Sequence, residues 1–377
     1  MNWNISYLQG EEFSSKQLMA LQELEPDLFS NYRARATIGM HQGSKYLNQL
    51  IEEEFSSELL AEVLAYKDVG ANFEFLHHIL YASFFAGARA QNVEASFFGK
   101  RTARVAKLGM LMSLFTNLFD GVLDEAPEIM DCRDLRFLGE QLRDQPWEKS
   151  RVAPTLSQSP DRHPVVTLLL QVMCTVIKYI INAPAWTKSR HIRKEFALAT
   201  ELSFKAEKGS TQYIIGSYWP SDINFLAGKL EAKSVAPAWI GLLFPICYHG
   251  WPDNVDAAGI KTLSVQLGAL GGWLDDISDL HEDLEKKVWS NVLLEIYHLT
   301  HKGVKDRNSA IGMLKWSLTE PSIIRHIVTI GVEKYSKSMM YVDALNLLDP
   351  GPLKQSMADK TTIFLSRDFV DIDQATF

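Results

Sequence analysis

Trp273-Leu-Asp-Asp-Ile-Ser-Asp-Leu-His-Glu-Asp-Leu-Glu-Lys-Lys-Val-Trp-Ser-Asn291 is the stretch on which the reading of this chain turns. It gathers Asp275, Asp276, Asp279, Glu282, Asp283 and Glu285 into one cluster. Each residue of an α-helix turns about 100°, so Asp275, Asp279 and Asp283 fall within about 80° of one another on one helical face. Like charges at i,i+4 repel and Asp is a poor helix former, so such a stripe costs stability. Oxygen-only ligands on one face suit a hard divalent cation, and Mg²⁺ takes one or two carboxylates together with waters and substrate phosphates. The stripe follows an apolar, small-residue run, Val265-Gln-Leu-Gly-Ala-Leu-Gly-Gly-Trp273, which predicts a helix packed in an interior. The plainer alternative is a solvated acidic turn.

A second acidic patch lies upstream, in Leu111-Met-Ser-Leu-Phe-Thr-Asn-Leu-Phe-Asp-Gly-Val-Leu-Asp-Glu125. Asn117, Asp120 and Asp124 are spaced i, i+3, i+7, within about 60° on a helix. The residues before them are almost wholly apolar. Two helices with polar stripes at their inner ends, facing one another across a cavity, would hold a cluster of Mg²⁺ ions against a diphosphate.

Composition sets the remaining bounds. The chain has 377 residues, 46% of them hydrophobic and 11% aromatic, enough for a large core and an apolar pocket. A net charge of −8 argues against a general nucleic-acid surface. Cys132, Cys174 and Cys247 fit neither a metal spacing nor a disulfide framework, so a reduced, cytoplasmic setting is expected. The first residues carry no basic stretch followed by an apolar run, and no signal peptide is expected. The longest apolar runs meet Lys or Pro early, and no transmembrane segment is expected.

Along the chain the pattern is helical throughout. Residues 14–66 read as helices, with a capping signal at Phe55-Ser-Ser-Glu58. Helices are expected over 72–89 and 95–123, the second with Lys100, Arg101, Arg104 and Lys107 on a solvated face. The segment 144–164, with four prolines, reads as a loop joining two halves of one bundle. Helices follow at 165–181 and 184–208, then around Pro237 with a kink or break, and at 290–301, 309–318 and 323–348. No strand alternation is sustained and no repeat is visible. The expected architecture is all-α, a single domain over 1–377 with an N-terminal helical extension over 1–70.

With both stripes placed, the chain resembles the class I isoprenoid and terpene synthases, most of all the bacterial large-terpene synthases of the tetraprenyl-β-curcumene synthase type. Asn117-x2-Asp120-x3-Asp124 resembles that family's first aspartate-rich motif and Asp275-x3-Asp279-x3-Asp283 its second. Gly312-Met-Leu-Lys-Trp-Ser-Leu-Thr-Glu320 resembles the short segment that follows. The family's first motif begins with Asp where this chain has Asn117, an amide that ligates without charge. Glu285-Lys-Lys-Val-Trp-Ser-Asn291 is similar to the tail after the second motif of chain-elongating prenyltransferases. The resemblance implies an isoprenoid-synthase-like helical bundle around an apolar cavity and a Mg²⁺-dependent cyclase using three ions. Its substrate would be a linear prenyl diphosphate, farnesyl or longer, and a homodimer is compatible with it. Asn117, Asp120, Asp124, Asp275, Asp279 and Asp283 become its metal ligands, with Asp120, Asp124, Asp275 and Asp279 acting directly in ionisation.

Lys205, Lys208 and Lys287 are candidates for the diphosphate, against a reading as surface cations. Phe115, Phe119, Trp239 and Trp273 are candidates for the cavity wall, against plain core. A chain-elongating or head-to-head prenyltransferase needs the same metals and is the nearest alternative. Glu74-x-x-His77 and Glu295-x-x-His298 match the di-iron bundle spacing but leave both stripes unexplained. A non-catalytic helical binding protein is supported only by Asn117.

Overall fold

Helices follow one another from residue 8 to residue 366 in the computed structural model, which describes residues 8–30, 49–65, 74–142, 156, 161–210, 214–215, 223–300, 304 and 306–366. Among the described residues the only extended pairing is an isolated bridge between Ile214 and Val288. The architecture is all-α, as the periodicity predicts. Five helices enclose the central cavity: α1 (Glu74–Phe98), α2 (Ala103–Glu125), α3 (Ile223–His249), α4 (Ala257–Ser278) and α5 (Gly351–Ser366).

Local chemistry sets the boundaries. The helix expected over 95–123 is instead divided: α1 continues to Phe98, and Gly99 at φ +64° turns the chain before α2 begins. That left-handed conformation is one glycine adopts without a Cβ clash. Thr102 caps α2 by accepting from Val105 N. The buried Glu94 fastens this corner. It accepts from Thr102 N at 2.6 Å and Thr102 Oγ1 at 2.9 Å, and lies 2.7 Å from His249 Nε2 at the end of α3. Ser56 Oγ accepts from Leu59 N at 3.2 Å, the capping interaction expected there. Pro237 and Pro245 lie inside α3, which runs on through both, so of the kink or break expected at Pro237 the break is absent.

The helices bury one continuous apolar cluster, from Phe13 and Leu21 near the start to Leu353 and Leu365 near the end. Three helical stretches, Ala103–Leu123, Pro164–Ile181 and Leu226–His249, are long and apolar enough to cross a membrane, contrary to the expectation from the apolar runs. A helix apolar on all sides belongs either in a membrane or inside a large core. Here half or more of each apolar window is buried against the protein itself.

Close backbone approach sets the α3–α4 spacing. A Cβ on Gly268 would come within 2.4 Å of Val235 Cα, and one on Gly272 within 2.7 Å of Ser234 Oγ. The small-residue run before the second acidic stripe therefore brings α4 against α3, and its last turn reaches the cavity.

Candidate functional site

The cavity encloses about 300 Å³. Asn117 and Asp120 reach it from α2, and Asp275 reaches it from α4. The leading residue of the second stripe thus meets the first stripe across one space. Asn117 Nδ2 donates to Ser113 O at 2.7 Å. A carbonyl only accepts, so the amide orientation is set and Oδ1 is turned away from that bond as an acceptor. The side chain of Asp124 lies outside the described residues.

The second stripe is not one unbroken helix. α4 ends at Ser278, and a short helix, Leu280–Lys286, starts after Asp279 at φ −99°, ψ 7°. The ladder nevertheless resumes across the joint, because Asp279 N donates to Asp275 O and Asp283 N to Asp279 O, both at 2.9 Å. The three carboxylates remain stacked a turn apart, with Asp275 in the cavity wall and Asp279 and Asp283 beyond it. Crowding leaves a clear electrostatic mark. Burial, then repulsion from Asp275, raises Asp276 to about 7, and the same two causes raise Asp279 to about 7. Solvent contact at Asp279 moderates that effect. Burial, then Asp276, raises Asp283 to about 8. Asp275 is also raised by burial, against the opposing charges of Lys233 and Lys360. Asp276 is a capping group: its Oδ2 accepts from Asn291 N at 2.6 Å.

Three cations that the sequence reading did not single out stand in the same cavity: Arg89 (α1), Lys233 (α3) and Lys360 (α5). Lys233 Nζ lies 2.8 Å from Asp120 Oδ1. Lys360 is seated by Gly271, whose Cβ would lie 2.8 Å from its Nζ, and lies 5.1 Å from the Phe364 ring centroid. Burial, then the neighbouring Arg89 charge, brings the Lys360 ammonium down to about 7, with Asp275 opposing. Met112, Leu242, Phe244 and Leu267 are among the apolar residues that complete the wall. A signal existed for two of these cations, each isolated between small residues, Ala88-Arg89-Ala90 and Ala232-Lys233-Ser234, whereas Lys360 follows the charged Asp359 and gave none.

The other candidates lie elsewhere. Phe115 and Phe119 stack on each other at 5.8 Å, and Phe119 stacks on Phe204, around a separate small void. Trp239 and Trp273 are buried but absent from the cavity wall, with Lys261 over Trp239 and Lys334 over Trp273. Helical phase explains the displacement: Phe115 and Phe119 are each two residues from Asn117, and Trp273 is two from Asp275, about 200° round the helix. Lys205 is exposed and paired with Glu201 at 2.5 Å, while the side chain of Lys208 lies outside the described residues. Lys287 is the left-handed cap of its helix at φ 59°, its carbonyl accepting from Ile215 N. Glu295 lies 3.0 Å from His326 Nε2, and the side chains of Glu74 and His77 lie outside the described residues.

Among the described residues no three acidic or imidazole groups converge on a point. The donor set still fits Mg²⁺: hard oxygens from two facing walls, one or two carboxylates for an ion that keeps waters and shares an anionic ligand.

No family model matches this chain, and no curated protein matches its sequence. Solved structures do share its shape. T. brucei farnesyl diphosphate synthase complexed with bisphosphonate superposes with a TM-score of 0.52 at 11% identity, over 87% of this chain and 99% of its own. Heptaprenyl diphosphate synthase from Staphylococcus aureus gives 0.51 at 13% identity, over 87% and 98%. Geranylgeranyl pyrophosphate synthase from Lactobacillus brevis gives 0.50 at 12%, over 86% and 97%. These are prenyl diphosphate synthases; at such identities the likeness is one of fold, and the finer resemblance, to the large-terpene synthases, does not follow from it. The chain has the all-α isoprenoid-synthase fold that these structures share.

Proposed function

We propose that this protein is a Mg²⁺-dependent enzyme acting on a prenyl diphosphate, and that its reaction is prenyl transfer. The observation that carries this reading is the meeting of Asn117, Asp120 and Asp275 with Arg89, Lys233 and Lys360 in one cavity that apolar side chains also line. Carboxylates alone would suit a metal and cations alone an anion; both together suit a metal-bound diphosphate. Asp120 and Asp275 would hold the metal, with the Asn117 amide oxygen beside them. When bound, Mg²⁺ supplies Lewis-acid neutralisation of the departing diphosphate. Arg89 and Lys360 place positive charge where the leaving oxygens gather. Met112, Leu242 and Phe244 shelter the polyene and exclude water, and Phe244 and Phe364 are the aromatic residues of the wall, the residue type that suits positive charge on carbon. The shared fold of the prenyl diphosphate synthases favours capture of that carbon by a second isoprenoid.

Cyclisation of a single substrate is the second reading, favoured by the spacing Asp275-x3-Asp279-x3-Asp283. One experiment separates the two. Purified protein is incubated with geranyl, farnesyl and geranylgeranyl diphosphates and Mg²⁺, with and without isopentenyl diphosphate, and products are resolved by mass spectrometry. Prenyl transfer gives a longer diphosphate only when isopentenyl diphosphate is present, and a chelator abolishes it. A hydrocarbon or alcohol from one substrate alone would establish cyclisation instead. No conversion under any combination would sink both readings.

A further inference from the structure

We propose that Lys233 couples metal binding to anion binding in this cavity, because it holds Asp120 in an ion pair that both ligands must break. The inference rests on the reading of the cavity as a Mg²⁺ and diphosphate site, and adds an order of preference among its ligands. Lys233 belongs to α3 and Asp120 to α2, so their 2.8 Å contact ties two facing walls together. Both side chains line the cavity that Asn117 and Asp275 also line. Asp120 is the carboxylate that the first stripe offers to a metal, and Lys233 is a cation already paired with it. A metal arriving alone competes with Lys233 for Asp120; an anion arriving alone competes with Asp120 for Lys233. When both arrive, the pair is broken once and its loss is shared. By linkage, each ligand then raises the affinity of the other by the same factor. The side chains are 33% and 39% exposed, so the pair is weak enough to open, and its contribution is at most about fivefold in a binding constant. The cavity would therefore favour a metal–diphosphate complex over free metal or free anion.

Lys360 supplies the control. It enters the same cavity from α5 and, like Lys233, acts on Asp275, but the ion pair with Asp120 belongs to Lys233. Isothermal titration measures Mg²⁺ binding to the wild type, Lys233→Met and Lys360→Met, each checked by circular dichroism. A second series measures inorganic pyrophosphate in metal-free buffer against the wild type, Asp120→Asn and Asp279→Asn. Lys233→Met should bind Mg²⁺ more tightly than Lys360→Met by about fivefold. Asp120→Asn should likewise bind pyrophosphate more tightly than Asp279→Asn. Equal changes within either pair, or weaker Mg²⁺ binding in Lys233→Met, overturn the coupling while leaving the proposed function intact. If the wild type binds neither Mg²⁺ nor pyrophosphate, even when both are present, the proposed function and the coupling fail together. Lys233→Gln replaces the methionine variant should that one not fold.

Discussion

Lys360 shows how a single contact can separate binding from stability. Its Nζ occupies the space beside Gly271 where any other residue would carry a Cβ. In Gly271→Ala the new methyl meets the far end of a flexible side chain, which moves aside at little cost. Alanine also gains about 0.5–1 kcal/mol over glycine within a helix. The melting temperature should therefore stay level or rise slightly, while pyrophosphate binding in the presence of Mg²⁺ falls about tenfold, the scale of one lost charge-assisted hydrogen bond. Lys360→Met should lose as much, and Lys205→Ala, removing an exposed cation paired with Glu201, should change binding by less than about twofold. A Gly271→Ala protein with unaltered affinity would show that Lys360 does not reach the anion.

At the scale of the element, the joint at Asp279 is where crowded carboxylates meet a helix end. Asp276 has a folded-state pKa of about 7, raised from 3.8 by burial and then by Asp275. A raised pKa means that the folded protein binds the extra proton. The stability from this group is complete below about pH 4 and is lost as pH rises through about 7. Asp276→Asn keeps an oxygen to accept from Asn291 N but carries no charge. The variant should melt about 2–4 °C above the wild type at pH 8, and the difference should vanish near pH 4. Thermal melts across that range check the prediction, and a constant offset at every pH would contradict it. Added Mg²⁺ should narrow the gap at pH 8, because a dication offsets the same repulsion.

At the scale of the whole molecule, the cavity is closed by a helix near the end of the described chain. Leu353, Met357, Ala358 and Leu365 of α5 are buried, and Leu353 N donates to Ser96 Oγ at 3.0 Å on α1. Removing residues 351–377 takes away one wall of the cavity together with Lys360. The shortened protein should retain helical circular dichroism, bind a hydrophobic dye far more strongly and convert no prenyl diphosphate; full conversion would show that α5 is not part of the site. The helical class of this protein was legible because 3.6-residue periodicity, capping signals such as Ser56 and acidic stripes after apolar runs are local properties. Asn117, Asp120 and Asp275 could be picked out in the same way, since stacked carboxylates in an apolar context are costly wherever they occur. The sequence alone therefore determined the all-α architecture, the two stripes and the kind of ion they suit. The tertiary structure decided which turn of each stripe reaches the cavity and that Asp279 interrupts the second. It also placed Arg89, Lys233 and Lys360 in one space, and the candidate aromatics outside it. These outcomes depend on helix phase and on how closely α4 approaches α3, and both are settled by packing between segments far apart in the chain.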